Sequence, residues 1–226
     1  WGETSWVYDG SAHSTTCTAG NLVSGDTCTV NLSNNSVGPA KNTSGVTVTA
    51  SSLSNSNYKL PSSKTTTIKI NARPVRYVAT DQSKAYDGSK LSANNTASLT
   101  AGTYSGTKYY ELVSGHTATI TGSGSTSAAT AGSTGTKTIS VVIKSGSTDV
   151  SSNYAITTVN GTLSITKASG SVSTAPTNAA ATYGSGSNLC SAGSGTGTMQ
   201  YKLDSGSWSS TIPTATTSVS AGNHTL

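Results

Sequence analysis

Tyr8-Asp9-Gly10, Leu22-Val23-Ser24-Gly25 and Ser56-Asn57-Tyr58 return in the same order as Tyr86-Asp87-Gly88, Leu112-Val113-Ser114-Gly115 and Ser152-Asn153-Tyr154. Each series closes on a strand-like run, Thr67-Ile68-Lys69-Ile70 in the first and Leu163-Ser164-Ile165-Thr166 in the second. The order of landmarks is kept while the gaps between them stretch, as expected of tandem copies of one small domain whose loops vary. A period of about 80 to 95 residues is too long for a solenoid and suits a self-contained domain.

Composition agrees. Phe is absent, 9% of residues are charged, and apolar residues reach 33% of the 226, below the roughly 45 to 50% of an average globular chain. One large core is therefore not expected. The apolar residues fall at alternate positions, and Thr is abundant, which favours pleated, half-buried strands. In Asp26 to Leu32, Cys28, Val30 and Leu32 share a face, and further on Val46, Val48 and Ala50 do the same. In the second copy, Ala118 and Ile120 take the places of Cys28 and Val30, and Ile139, Val141 and Ile143 form a second alternating set. Strands recurring every 8 to 15 residues or so between Gly, Ser and Asn predict an antiparallel sandwich. Breaks are expected near Asn71 to Pro74 and near Lys167 to Ser171, giving domains 1–72, 73–168 and 169–226, the last truncated at its C-terminal end. Pro74 supports the first break, since it fixes φ and removes a ladder donor. Asn223-His224-Thr225-Leu226 reads as a stop in mid-strand, so the chain is expected to be a piece of a longer protein.

Several segments resemble a known family. Trp6-Val7-Tyr8-Asp9-Gly10, Asn55-Ser56-Asn57-Tyr58-Lys59-Leu60 and Ile68-Lys69-Ile70-Asn71-Ala72-Arg73-Pro74 are similar to the YDG/MBG-type immunoglobulin-like tandem repeats of large bacterial cell-surface proteins and adhesins. Tyr86-Asp87-Gly88 through Ile165-Thr166-Lys167 resembles them too, and Ala181 to Ala215 looks like a related repeat. The resemblance implies an all-β, elongated array of Ig-like β-sandwich domains, outside the cell and non-catalytic. Its partners would be neighbouring repeats of the same chain and, externally, host or matrix glycans or proteins.

The residues themselves argue for structural roles. In Tyr8-Asp9-Gly10 and Tyr86-Asp87-Gly88, Asp before Gly favours a tight turn in which Gly takes positive φ and the carboxylate accepts nearby amides. Cys17 and Cys28 flank the turn from Gly20 to Asp26. Folding the hairpin about its midpoint sets them opposite each other, within reach of a disulfide; two small buried thiols are the other reading. Cys190 has no partner in its own segment.

The net charge of +5 is spread through the chain, and Arg73-Pro74-Val75-Arg76 is its densest basic cluster, expected as solvated charge on a linker or edge strand. A basic stripe interleaved with stacking aromatics is missing, so no nucleic-acid partner is expected. No apolar run approaches a membrane span. There is no G-x-S-x-G, H-E-x-x-H or C-x-x-C; Ser164-Ile165-Thr166-Lys167 matches S-x-x-K without its companion elements. No cofactor or metal is expected, because no loop carries more than one acid. The expected function is a stalk or filament segment. The alternative is a polysaccharide-binding module whose platform would come from Trp1, Trp6, Trp208 and the Tyr104, Tyr109, Tyr110 group, although a chain with so few large apolar side chains is expected to bury each Trp.

Overall fold

A computed structural model describes residues 1–219 together with Gly222 and Thr225. The expected mid-strand stop at Asn223 to Leu226 falls mainly on residues outside the described ones. The chain packs as two compact units, Trp1–Thr166 and Lys167–Leu226. The only helix among the described residues is a single 3-10 turn, Ser151–Asn153.

The first sheet is built from β1 (Ser5–Val7), β2 (Val30–Ser33), β3 (Asn42–Leu53) and β4 (Thr65–Asn71), side by side in the order β1-β4-β3-β2. Alternation decides which residues turn inward: Val48 and Ala50 on β3 and Ile68 and Ile70 on β4 are buried, while Thr47, Ser51, Thr67 and Lys69 face out. Residues 73–166 hold β5 (Arg73–Ala79), β6 (Gln82–Ala85), β7 (Ala97–Leu99), β8 (Gly102–Tyr104), β9 (Thr107–Tyr109), β10 (His116–Ser123), β11 (Thr134–Ser145), β12 (Thr148–Asp149), β13 (Tyr154–Val159) and β14 (Gly161–Thr166). Their larger sheet runs β6-β14-β11-β10, with β12 paired to β11; a second sheet runs β13-β5-β7, and β8 and β9 form a hairpin.

The sequence repeat is therefore a topological repeat. In both halves the strand that leads into Tyr-Asp-Gly pairs in parallel with the last strand, β1 with β4 and β6 with β14, and the second half adds β5 ahead of it. The last strand then pairs antiparallel with a long strand of 12 residues, β3 or β11, which in turn pairs antiparallel with β2 or β10.

Three sequence-based expectations are corrected. The sheets are mixed, because β1–β4, β5–β13 and β6–β14 run parallel. Residues 1–71 form one hydrogen-bonded sheet, joined by isolated bridges at Thr18–Thr29 and His13–Val37. Residues 9–28 are rich in Ser, Thr and Gly and have no sustained alternating apolar face, so they cover that sheet as irregular chain instead of pairing as a second one. The third correction is at Arg73-Pro74-Val75-Arg76, which is the start of the middle strand of a sheet. No sheet crosses Ala72, yet packing does: Val48, Ile68 and Ile70 belong to one apolar cluster with Val75, Tyr77, Ile139 and Ile143. Covering each small sheet with the other half removes more apolar area from water than either half removes alone.

In Lys167–Leu226, β15 (Val172–Thr174) pairs with β16 (Ser194–Gly195), and bridges Asn178–Cys190, Asn188–Thr214 and Tyr201–Ser209 hold the rest. Among its described residues, Cys190, Tyr201 and Ala215 are buried.

Candidate functional site

Both Tyr-Asp-Gly motifs form the expected turn. Asp9 Oδ1 accepts the Ser11 amide at 2.9 Å and Asp87 Oδ1 accepts the Ser89 amide at 2.9 Å; Gly10 and Gly88 share φ of 83°. The tyrosine amides close the parallel ladders in the same way, Tyr8 donating to Asn71 O and Tyr86 to Thr166 O, each at 2.9 Å. Hydrogen bonds from Lys84 and Ser89 hold the Asp87 carboxyl well below the usual carboxylate range. Burial raises Asp9, but the Ser11 amide and His13 outweigh it and its pKa lies below the ordinary value. His13 Nε2 is 3.0 Å from Asp9 Oδ1, and its ring stacks on Trp6 with centroids 4.8 Å apart.

The Leu-Val-Ser-Gly turns are held by the Ser-Asn-Tyr tyrosines. Tyr58 Oη accepts the Val23 amide at 2.8 Å and donates to Asp26 Oδ2 at 2.7 Å. Tyr154 Oη accepts the Val113 amide at 3.2 Å and lies 2.6 Å from His116 Nδ1. One device thus appears twice, with Asp26 and His116 at equivalent positions. Burial differs: Tyr154 is buried and Tyr58 half-buried. The difference arises because Tyr154 also meets the first half, its ring edge-on to Tyr8 at 5.5 Å, and the neighbouring Asn153 Oδ1 accepts the Lys41 amide at 2.9 Å. Tyr8 is 5% exposed under this cover, whereas its counterpart Tyr86 is 46% exposed.

A cleft lined by Tyr8, Asp9, Pro39, Val113, His116 and Asn153 runs between the halves. Three of its polar side chains are already engaged: His116 with Tyr154, Asp9 with Ser11 and His13, and Asn153 with Lys41. No group of three or more His, Cys, Asp or Glu that could hold a metal ion occurs among the described residues.

The aromatic groups are distributed differently from the sequence expectation. Trp6 packs half-buried against the core, but Trp1 is 43% and Trp208 64% exposed. Tyr104 and Tyr110 lie beside β5, with the Arg76 guanidinium 4.3 Å from the Tyr104 ring centre and Arg73 and Lys108 over Tyr110 at 4.8 and 4.9 Å. These cations stack where a sugar ring would have to stack. Arg73 is committed further, donating to Glu111 O at 2.7 Å and Tyr8 O at 3.2 Å.

Cys17, Cys28 and Cys190 are all free thiols, so the expected Cys17–Cys28 disulfide is absent. Register is the reason. Thr18 faces Thr29, which sets Cys17 across from Val30 and Cys28 across from Ala19. The two cysteines are diagonal neighbours, about 7 to 8 Å apart instead of directly opposed.

Sequence reasoning missed the parallel pairing of end strands and the burial of Lys137, whose place in the alternation of Lys137, Ile139, Val141 and Ile143 was the available signal. Comparison with models of known families, with curated proteins and with solved structures found no match.

Proposed function

We propose that this chain is a structural, non-catalytic stalk or filament segment of a bacterial cell-surface adhesin, made of tandem all-β repeats and exposed outside the cell. The observation that carries this reading is the parallel pairing, in both repeats, of the strand that leads into Tyr-Asp-Gly with the last strand. Strands that run parallel and lie next to each other have the entry of one and the exit of the other at opposite ends of the ladder. Tension applied through the chain ends therefore shears the ladder lengthwise, and its hydrogen bonds bear the load together; an antiparallel hairpin pulled at its open end would lose them one at a time. The motif residues support the reading because their polar atoms are spent on turns and strand ends.

Single-molecule pulling tests it. Attachment at residues 1 and 166 should give two resolved unfolding events at high force. Attachment at 1 and 53, which peels the first sheet, should give a clearly lower force for that event. Equal forces in the two geometries would remove the argument. Lys69→Pro deletes the amide that donates to Thr4 O at 3.0 Å and should weaken the first event alone.

A second reading, a polysaccharide-binding module, draws on exposed Tyr183 and Trp208 of the second unit. Glycan-array binding that is lost in Trp208→Ala would favour it over the stalk.

A further inference from the structure

Lys137 stands on the inward face of β11 and is 0% exposed. Its Nζ donates to three neutral oxygens: Asn94 Oδ1 at 2.6 Å, Thr96 Oγ1 at 2.9 Å and the backbone O of Thr80 at 3.1 Å. Asp81 acts on it through its charge, while Asp81 Oδ1 itself accepts the Thr162 amide at 2.6 Å. An ammonium buried among neutral acceptors is costly. Burial pushes the Lys137 pKa down, against the opposing pull of Asp81, and so favours the neutral amine, which is a nucleophile.

The group beside that amine is an activated amide. Asn94 Oδ1 also accepts the Thr96 hydroxyl at 2.6 Å and the Thr96 amide at 3.2 Å. Two donors of this kind stabilise the negative charge that an amide oxygen gains during acyl transfer. Since a carbonyl bond is about 1.2 Å long, Nζ lies no farther than about 3.8 Å from Asn94 Cγ, close to the roughly 3 to 3.5 Å of a near-attack arrangement.

We propose that Lys137 and Asn94 join in an intramolecular isopeptide bond. Lys137 first passes its ammonium proton to water by way of the hydroxyl of exposed Thr96, to which its Nζ donates. The Nζ lone pair attacks Cγ, and the carbonyl π pair moves to Oδ1, held there by the Thr96 hydroxyl and amide. A proton passes from Nζ to Nδ2. The Cγ–Nδ2 bond breaks with its electron pair going to nitrogen, the carbonyl re-forms, and ammonia leaves through the exposed Asn94 side. The step is redox-neutral and uses no cofactor. Its product ties β11 to the turn before β7, across 43 positions of sequence. The inference stands independently of the stalk reading.

Intact mass of the purified 226-residue chain, denatured and reduced after incubation of the folded protein at about pH 8, tests it. The expected result is a mass lower than the sequence requires by one ammonia, about 17 Da. Trypsin should leave the chain uncut after Lys137 and release a branched peptide containing Asn94 and Lys137. Asn94→Ala, which truncates an exposed side chain, should give the full sequence mass, ordinary cleavage after Lys137 and an unchanged circular dichroism spectrum. Wild-type protein at its full sequence mass would overturn the proposal. So would a loss of ammonia that persists in Asn94→Ala, because it would place the reaction at another residue.

Discussion

Removing one oxygen from each of three tyrosines should have three different outcomes. Tyr154 is buried and its hydroxyl serves both the Val113 amide and His116 Nδ1. Tyr154→Phe leaves two polar groups at a packed junction without their partner, and each such group costs about 1 to 3 kcal/mol when water cannot replace the bond. Both groups are half-buried, so some hydration is recovered and the lower part of that range applies; a loss of about 2 kcal/mol is expected. Tyr58 makes the same pair of contacts at a half-buried site. Water can reach Val23, which is 69% exposed, so Tyr58→Phe should cost only about 0.5 to 1 kcal/mol. Tyr77 is 2% exposed and its hydroxyl is buried with no hydrogen-bond partner; burial, with Tyr154 and Glu111 nearby, raises its pKa. Tyr77→Phe removes an unpaired polar group and should be neutral or stabilising by about 1 kcal/mol. Urea unfolding followed by tyrosine fluorescence and circular dichroism measures all three, read as shifts in midpoint at constant slope. A Tyr77→Phe loss as large as that of Tyr154→Phe would refute the reasoning, as would a Tyr58→Phe loss that exceeds it.

Three further outcomes follow from the packing and charge. Ile68 is 0% exposed at the centre of the shared cluster, so Ile68→Ala should lose about 2 to 5 kcal/mol; Val142→Ala, at an exposed position of β11, should stay within about 0.5 kcal/mol in the same urea titration. The carboxyls of Asp81 (by hydrogen bonds from Thr162), Asp87 (from Lys84 and Ser89) and Asp149 (from Ser151) are held below the ordinary range in the folded protein. Between the folded and the unfolded values the unfolded chain binds more protons. Their stabilisation is thus complete above the unfolded pKa of about 4 and is lost as pH falls through the folded values. Thermal melts from pH 6 down to pH 2, roughly the span of that transition, should show a falling midpoint, and Asp87→Asn should flatten the fall. Finally, the unreduced protein in denaturant should take up thiol reagent at Cys17, Cys28 and Cys190 alike, and in the native state Cys190, 2% exposed, should react slowest; uptake at one cysteine only would mean that a bridge had formed.

What the sequence determined by itself is the local part. Tyr-Asp-Gly and Leu-Val-Ser-Gly specify turns because Asp accepts an amide two residues on and Gly takes positive φ at little steric cost. Alternation specifies which face of each strand is buried, as at Val48, Ile68, Ile139 and Ile143. Those rules act over a few residues and can be read along the chain. The parallel pairing of strands and the covering of one sheet by another depend on residues 60 or more positions apart, and no local pattern encodes them. The parallel pairing of Ser5 with Lys69 and of Leu163 with Gln82 was out of reach for that reason. The register at Thr18–Thr29, which separates Cys17 from Cys28, was decided by the turn geometry adopted between them. Tyr8 and Tyr86 occupy the same place in the repeat, yet one is buried and the other exposed, because Tyr154 and Asn153 happen to lie against the first. Lys137 is the sharpest case: its position on β11 was legible, but only the approach of Thr80, Asn94 and Thr96 from other elements gives a buried amine three oxygens and makes that position tolerable.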